Sequence, residues 1–301
     1  MKIFVTGGKG MLGRTLRRVL TDVDFVIGDL PECDITNAAA VREAIAAADV
    51  DAVVHCAAMT QVDLCETERE RAFLINETGS ANVAKACEVL GKRLIAISTD
   101  YVFHGDKPTA YVETDEPDPQ TVYGASKLAG ENAIRKNCDN HLILRLAWLY
   151  GDGGPSFLHT MLKLADGTRP VLKVVNDQRG NPTSAVAVAR HLRMILERRD
   201  LRGIMHLTCE GETTWYDYAK EIFRVAGVKQ DVVSCTTEEF PRPAHRPANS
   251  SLEKAVLKQS GLPPMPHWQD ALRAFLPACW RARTTAWRCS SRSTPQGSTR
   301  A

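Results

Sequence analysis

Val5-Thr-Gly-Gly-Lys-Gly-Met-Leu-Gly13 is the stretch that decides the fold. It follows a short apolar run, Lys2–Thr6, that reads as a strand, and it opens an amphipathic pattern, Met11–Leu20, that reads as a helix. Gly7, Gly10 and Gly13 stand at Gly-x-x-Gly-x-x-Gly spacing. The first glycine permits a tight turn and the second lets backbone approach a pyrophosphate. The third allows close helix–strand packing, and the helix N-terminus offers oriented N–H groups to phosphates. Met11 and Leu12, which open that helix, join the three glycines as candidate cofactor-binding residues. The glycine pattern alone is a weak signal, but Asp29 closes the next strand, the usual place for a ribose-binding acid. Asp29 favours a free ribose 2′-hydroxyl and hence NAD. No arginine follows it directly to receive a 2′-phosphate, so NADP is disfavoured without being excluded.

Outward from this loop the first half alternates short apolar runs with helical patterns. Strands are expected at Lys2–Thr6, Asp24–Ile27, Ala52–Cys56, Arg93–Ser98 and Leu142–Leu146. Helical patterns cover Met11–Leu20, Asn37–Ala48, Glu68–Leu90 and a segment beginning near Tyr123. The strands are almost continuously apolar and β-branched, which suits a parallel sheet covered by helices on both faces. The expectation is an α/β fold: a Rossmann-type doubly wound parallel sheet with a smaller C-terminal substrate lobe. From about Trp148 the pattern loosens, with a turn cluster at Gly151–Pro155 and alternating elements to Leu276. The expected organisation is a dinucleotide-binding domain over 1–147 and a substrate lobe over 148–276, some of whose segments return to the first sheet. Residues 277–301 are expected to be a disordered basic tail.

The chain has 301 residues, 44% hydrophobic and 25% charged, enough for a large core. Its formal net charge of +2 is misleading. Residues 277–301 hold five arginines and no acid, so the remainder carries 33 basic against 36 acidic residues, a net of −3. That argues against nucleic-acid binding by the body of the protein. No run approaches the roughly 18 apolar residues of a transmembrane helix, and no apolar leader precedes the first strand. A cytoplasmic protein with no membrane partner is the expectation. Nine cysteines are scattered without a Cys-x-x-Cys pair, and they read as reduced thiols. No metal-ligand spacing emerges.

Tyr123-Gly-Ala-Ser-Lys127 carries the chemistry. Side chains four apart lie one above the other on a helix, so phenol and ammonium share a face. A phenol of pKa ~10 is a poor proton donor or acceptor at neutral pH, and a nearby cation should pull that value down. Ser98-Thr-Asp100 closes the fourth strand at its carboxyl end, where open α/β sheets place ligands. Thr99 is therefore expected to face Tyr123, with the two hydroxyls converging on one substrate oxygen. A dinucleotide loop beside such a tyrosine suggests hydride chemistry at a carbonyl.

These residues resemble the extended short-chain dehydrogenases/reductases, most closely the dTDP-4-dehydrorhamnose reductase family. The resemblance rests on Ser98-Thr-Asp-Tyr-Val-Phe103, Val122-Tyr-Gly-Ala-Ser-Lys-Leu-Ala-Gly-Glu131 and Arg145-Leu-Ala-Trp-Leu-Tyr150. Val175-Asn-Asp-Gln-Arg-Gly-Asn-Pro-Thr183 and Arg246-Pro-Ala-Asn-Ser-Ser-Leu252 extend it, and it covers residues 1–276. It implies that NADPH or NADH reduces the 4-keto group of a dTDP-deoxyhexose. Tyr123 would be the general acid, Lys127 would hold the nicotinamide ribose and tune the phenol, and Thr99 would bond the reacting oxygen. Asp100 and Trp148 would contact substrate. Asp34 and Ile35 would lie by the adenine, with Ala57, Ala58 and Thr60 along the cofactor. Some members dimerise through a metal held by a carboxylate on the first helix. Thr15 stands there in this chain, so the expectation is a monomer or homodimer without that metal link. An epimerase or dehydratase of the same fold, or a regulatory subunit that binds cofactor without turnover, remain as alternatives. A dehydratase would want a second carboxylate after Asp100, where this chain has Tyr101.

Overall fold

A computed structural model describes residues 1–276; the expectation for 277–301 lies outside the described residues. The first half runs β1 (Lys2–Thr6), α1 (Met11–Val19), β2 (Asp24–Gly28), α2 (Ala38–Ala48), β3 (Ala52–His55), α3 (Val62–Thr67) and α4 (Arg69–Phe73). A π-helical turn (Leu74–Thr78) leads into α5 (Gly79–Val89), β4 (Arg93–Thr99), a 3₁₀ turn (Asp100–Val102), α6 (Val122–Asn137) and β5 (His141–Leu146). The second half follows as β6 (Leu149–Tyr150), α7 (Phe157–Leu164), β7 (Val171–Val175), β8 (Arg179–Gly180), β9 (Thr183–Ser184) and α8 (Ala185–Glu197). It continues with β10 (Gly203–His206), β11 (Thr213–Thr214), α9 (Trp215–Ala226), β12 (Asp231–Cys235) and α10 (Ala255–Gln259), and residues 268–276 are again helical.

Six parallel strands form one sheet in the order β10-β5-β4-β3-β1-β2. The chain winds from β1 to β2 in one direction and then crosses back to β3 on the other side. That reversal opens a crevice above the carboxyl ends of β1 and β3. Successive strand residues alternate faces, as a pleat requires. Ile3, Val5 and Val54 pack with Leu12 and Leu16 of α1 and Val188 and Leu192 of α8. Phe4 and Val53 pack on the opposite face with Val41 and Ile45 of α2 and Val83 of α5. Both faces are dry, which is why these strands read as unbroken apolar runs.

Two sequence features set where helices begin. Asn37 caps α2 by accepting from the N–H groups of Ala39 and Ala40, both at 3.1 Å. Thr121 does the same for α6, accepting from Gly124 N at 3.0 Å. In the second half, β7 pairs with β12, β8 with β11 and β6 with β9, while β10 joins β5 in the large sheet.

The stretch expected as one helical pattern over Glu68–Leu90 is broken instead. Asn76 causes the break: its buried amide accepts from Met59 N at 2.8 Å and donates to Met59 O and Ser126 Oγ at 3.0 and 2.9 Å. Turning this side chain inward widens the helix into the π turn. The seven cysteines among the described residues are free, and no helix among those residues is long and apolar enough to cross a membrane.

Candidate active site

A cleft of about 1480 Å³ runs from the glycine loop, past the carboxyl ends of β1, β3 and β4, into the second half. Gly7, Gly10, Met11, Leu12 and Gly13 line its head. Gly7 has φ +66°, and a Cβ there would stand 2.7 Å from Ala57 N. A Cβ on Gly13 would stand 2.5 Å from Gly8 Cα. The loop therefore lies tight against β3 and α1 and leaves its backbone free to approach a ligand.

Asp29 lines the cleft at the end of β2 and also anchors the loop. Its carboxylate accepts from Lys9 N at 2.8 Å and Leu30 N at 3.0 Å. Lys9 Nζ turns to Leu30 O at 2.6 Å. Asp34 accepts from Thr36 N and Oγ1 at 2.9 and 2.8 Å, fixing the turn that carries buried Ile35. Ala57, Ala58 and Thr60 follow β3 along the floor.

Helix α6 carries Tyr123 and Lys127 into the same cleft, both buried. Lys127 Nζ donates to Ile97 O at 2.8 Å. Burial lowers the Lys127 ammonium to about 8, with the nearby Glu131 charge opposing. Glu131 is itself locked by Arg145, whose Nε and Nη2 donate to its two oxygens at 2.9 and 2.7 Å, and Ser98 Oγ donates to it at 2.5 Å.

Burial pushes the Tyr123 phenol well up, against the pull of a hydrogen bond with Thr99. The expectation that Lys127 draws this phenol down is not met here: removal from water dominates, and the neighbours whose charge acts on the phenol, Asp100 and Cys65, raise it further. A phenol held neutral keeps its proton at neutral pH. Thr99, which meets Tyr123 as expected, also donates to Asp100 Oδ1 at 2.9 Å. Burial raises the Asp100 carboxyl to about 6, with the Thr99 bond opposing. Its other oxygen, Oδ2, is buried and without a partner among the described residues. Trp148 lines the cleft beyond Asp100 with φ +47°. A bulky residue in that left-handed region carries roughly 1–3 kcal/mol of backbone strain.

Other lining residues were not singled out from sequence. Gln178, Arg246 and Ser250 lie inside motifs quoted above but drew no role, and Tyr101 served there only against a dehydratase, whereas Asp63 and Trp215 gave no local signal. Tyr101 packs edge-on against Tyr123, ring centroids 5.5 Å apart. Arg246 Nη2 donates to Asp63 Oδ1 at 2.8 Å, tying the segment Phe240–Pro247, with its prolines at 241, 243 and 247, to α3. Thr15 is buried on α1 and returns its hydroxyl to Met11 O at 2.9 Å.

The family model described as "RmlD substrate binding domain" matches residues 1–280. The dTDP-4-dehydrorhamnose reductase of Streptomyces griseus is 42% identical over 287 residues, 92% of this chain and 94% of that protein. A solved dTDP-4-dehydrorhamnose reductase from Clostridium acetobutylicum superposes with a TM-score of 0.90 at 40% identity, covering 93% of this chain and all of that one. The Bacillus anthracis enzyme of the same name, solved in complex with NADP, gives 0.89 at 36% identity over 92% of this chain and 99% of that one. By glycine loop, by the Thr99–Tyr123–Lys127 site and by likeness along nearly its whole described length, this chain belongs to the RmlD family of dTDP-4-dehydrorhamnose reductases.

Proposed function

We propose that the protein reduces the 4-keto group of dTDP-4-dehydro-L-rhamnose to give dTDP-L-rhamnose, using NADPH or NADH. The observation that carries this reading is the meeting of a neutral, buried phenol with Thr99 and Asp100 at the carboxyl end of β4, in a cleft continuous with the glycine loop. The names of the relatives support the substrate. The residues present suit a dinucleotide: Gly7, Gly10 and Gly13 line the head of the cleft without side chains, and Asp29 stands where a ribose hydroxyl would donate.

When bound, the cofactor supplies a hydride to C4 of the sugar. Tyr123 gives its proton to the carbonyl oxygen, so that the C=O becomes CH–OH with one hydride and one proton added. Thr99 steadies that oxygen, and Asp100 offers its unpartnered Oδ2 to a sugar hydroxyl. Lys127, charged at neutral pH despite burial, is set to hold the nicotinamide ribose and to favour the phenolate left on Tyr123. Residues 1–147 would form the cofactor lobe and 148–276 the substrate lobe.

The dehydratase reading is weaker, because Tyr101 fills the place of a second carboxylate and packs on Tyr123. The test is incubation of purified protein with NADPH or NADH and enzymatically made dTDP-4-keto-L-rhamnose. Stoichiometric loss of reduced nicotinamide with formation of the 4-hydroxy sugar is expected. A product formed without net cofactor consumption, or none at all, would overturn the proposal.

A further inference from the structure

Trp148 is held in its strained backbone from four directions. Its indole stacks face to face on Trp215, ring centroids 3.3 Å apart and planes 6° from parallel. Its Nε1 donates to Ser250 Oγ at 3.1 Å, and its carbonyl accepts from Thr183 N at 3.1 Å. Its edge lies over Gly180, where a Cβ would stand 2.4 Å from Trp148 Cε2.

Trp215 is fixed in turn. Its Nε1 donates to Gln178 Oε1 at 3.1 Å, and Gln178 Nε2 donates onward to Thr237 Oγ1 at 2.9 Å. Phe157 packs against Trp215 at 4.4 Å. The β8–β11 pair sets Gly180 opposite Thr213, two residues before Trp215. The motif Val175–Thr183 thus supplies three parts of one clamp: Gln178 for Trp215, Gly180 as space for the Trp148 edge, and Thr183 for its backbone.

We infer that Trp215 is a positioning residue of the sugar site: with Gln178 and Gly180 it holds the Trp148 indole in one orientation, so that a single ring face is presented to the keto sugar. This rests on the reading of the cleft as a dTDP-keto-sugar site. The C–H face of a pyranose packs well only on a ring that is already in place, since ordering the ring at each binding event would cost affinity. Without Trp215, the indole of Trp148 loses the ring stacked on its face and is free to rotate out of the site.

The test uses Trp215→Leu, Trp215→Tyr and Gly180→Ala in the full chain. Stacked indoles give an excitonic couplet in far-ultraviolet circular dichroism, a signature that folding alone does not produce. The wild type should show the couplet and turn over dTDP-4-keto-L-rhamnose. Trp215→Leu should lose the couplet and raise the sugar KM about tenfold, equivalent to ~1.4 kcal/mol, with NADPH affinity unchanged. Trp215→Tyr should restore most of the sugar affinity. Gly180→Ala keeps both indoles but displaces Trp148, so it should shift the couplet and raise KM in the same direction; it serves also if Trp215→Leu fails to fold. A wild type without the couplet, or variants that change the couplet while sugar KM stays within twofold, would overturn the clamp. A wild type that shows the couplet but no turnover would instead overturn the proposed reaction.

Discussion

The Tyr123 hydroxyl is the atom on which the proposed chemistry turns, and its environment makes it a donor. Burial keeps the phenol neutral, against the opposing pull of the Thr99 bond that aims it. Tyr123→Phe removes the proton and little else, so turnover should fall ~10²–10⁴-fold while NADPH affinity stays near normal. A steady-state assay with a separate cofactor titration checks both halves, and near-normal turnover would remove Tyr123 from the role. Asp100 makes the opposite kind of prediction. Its carboxyl rises from 3.8 to about 6 on folding because it is buried. A raised acid favours the folded state only while protonated, so this contribution is full below about 4 and lost as pH climbs through about 6. The ionised form should cost roughly 3 kcal/mol at neutral pH. Asp100→Asn cannot ionise, so it should unfold at higher denaturant than wild type at pH 7.5, with the gain vanishing below pH 4. Equal stability at both pH values would show that Asp100 carries no such penalty. Tyr123, Lys127 and Thr99 were legible from spacing because each sits within a short motif. Trp215 was not, because its meaning depends on Trp148, a distant residue that only the folded chain brings against it.

Helix α6 shows what a motif conceals about its element. Its sequence announces Tyr123 and Lys127 but not that Gly130, one turn on, lies against the π turn. A Cβ on Gly130 would stand 2.2 Å from Asn76 O. Gly130→Ala should therefore destabilise by about 1–3 kcal/mol even though alanine is the better helix former. If Gly130→Ala were neutral or stabilising in urea unfolding, α6 would have to sit further from the π turn than described. The π turn itself was read as continuous helix because nothing local distinguishes Asn76 from any polar helix residue. Its partners, Met59 and Ser126, lie 17 and 50 residues away. Helix starts, by contrast, were legible wherever a capping side chain such as Asn37 stood at the boundary.

The halves of the molecule are joined by more than the cleft. Arg93, at the start of β4, reaches the C-terminal end of α8: Nη1 donates to Ile195 O at 2.8 Å and Nη2 to Leu201 O at 3.1 Å. A cation suits the carbonyls that a helix end leaves unpaired. Arg93→Ala should cost roughly 2–3 kcal/mol, and unfolding should remain a single transition for fluorescence and circular dichroism alike. Two separated transitions would show that the halves fold independently. The sheet's alternating strands and helices could be read in order from the chain, because each is a local pattern. The place of β10 beside β5 could not, since its four residues differ little from other short apolar runs in the second half.

That strand bears on how this enzyme could be rebuilt. Residues 203–206 complete the large sheet at its outer edge, while Trp148, Gln178, Trp215 and Ser250, which face the cleft, lie on both sides of it in sequence. Exchanging the sugar-recognition parts with those of a relative by one crossover near residue 147 would import a foreign β10 and α8 along with them. The hybrid would then have to re-match an edge strand and a helix against β5 and α1. A transplant of 148–184 and 213–252 as two cassettes, with the host's own 185–212 left between them, keeps the sheet native and moves only the walls of the cleft.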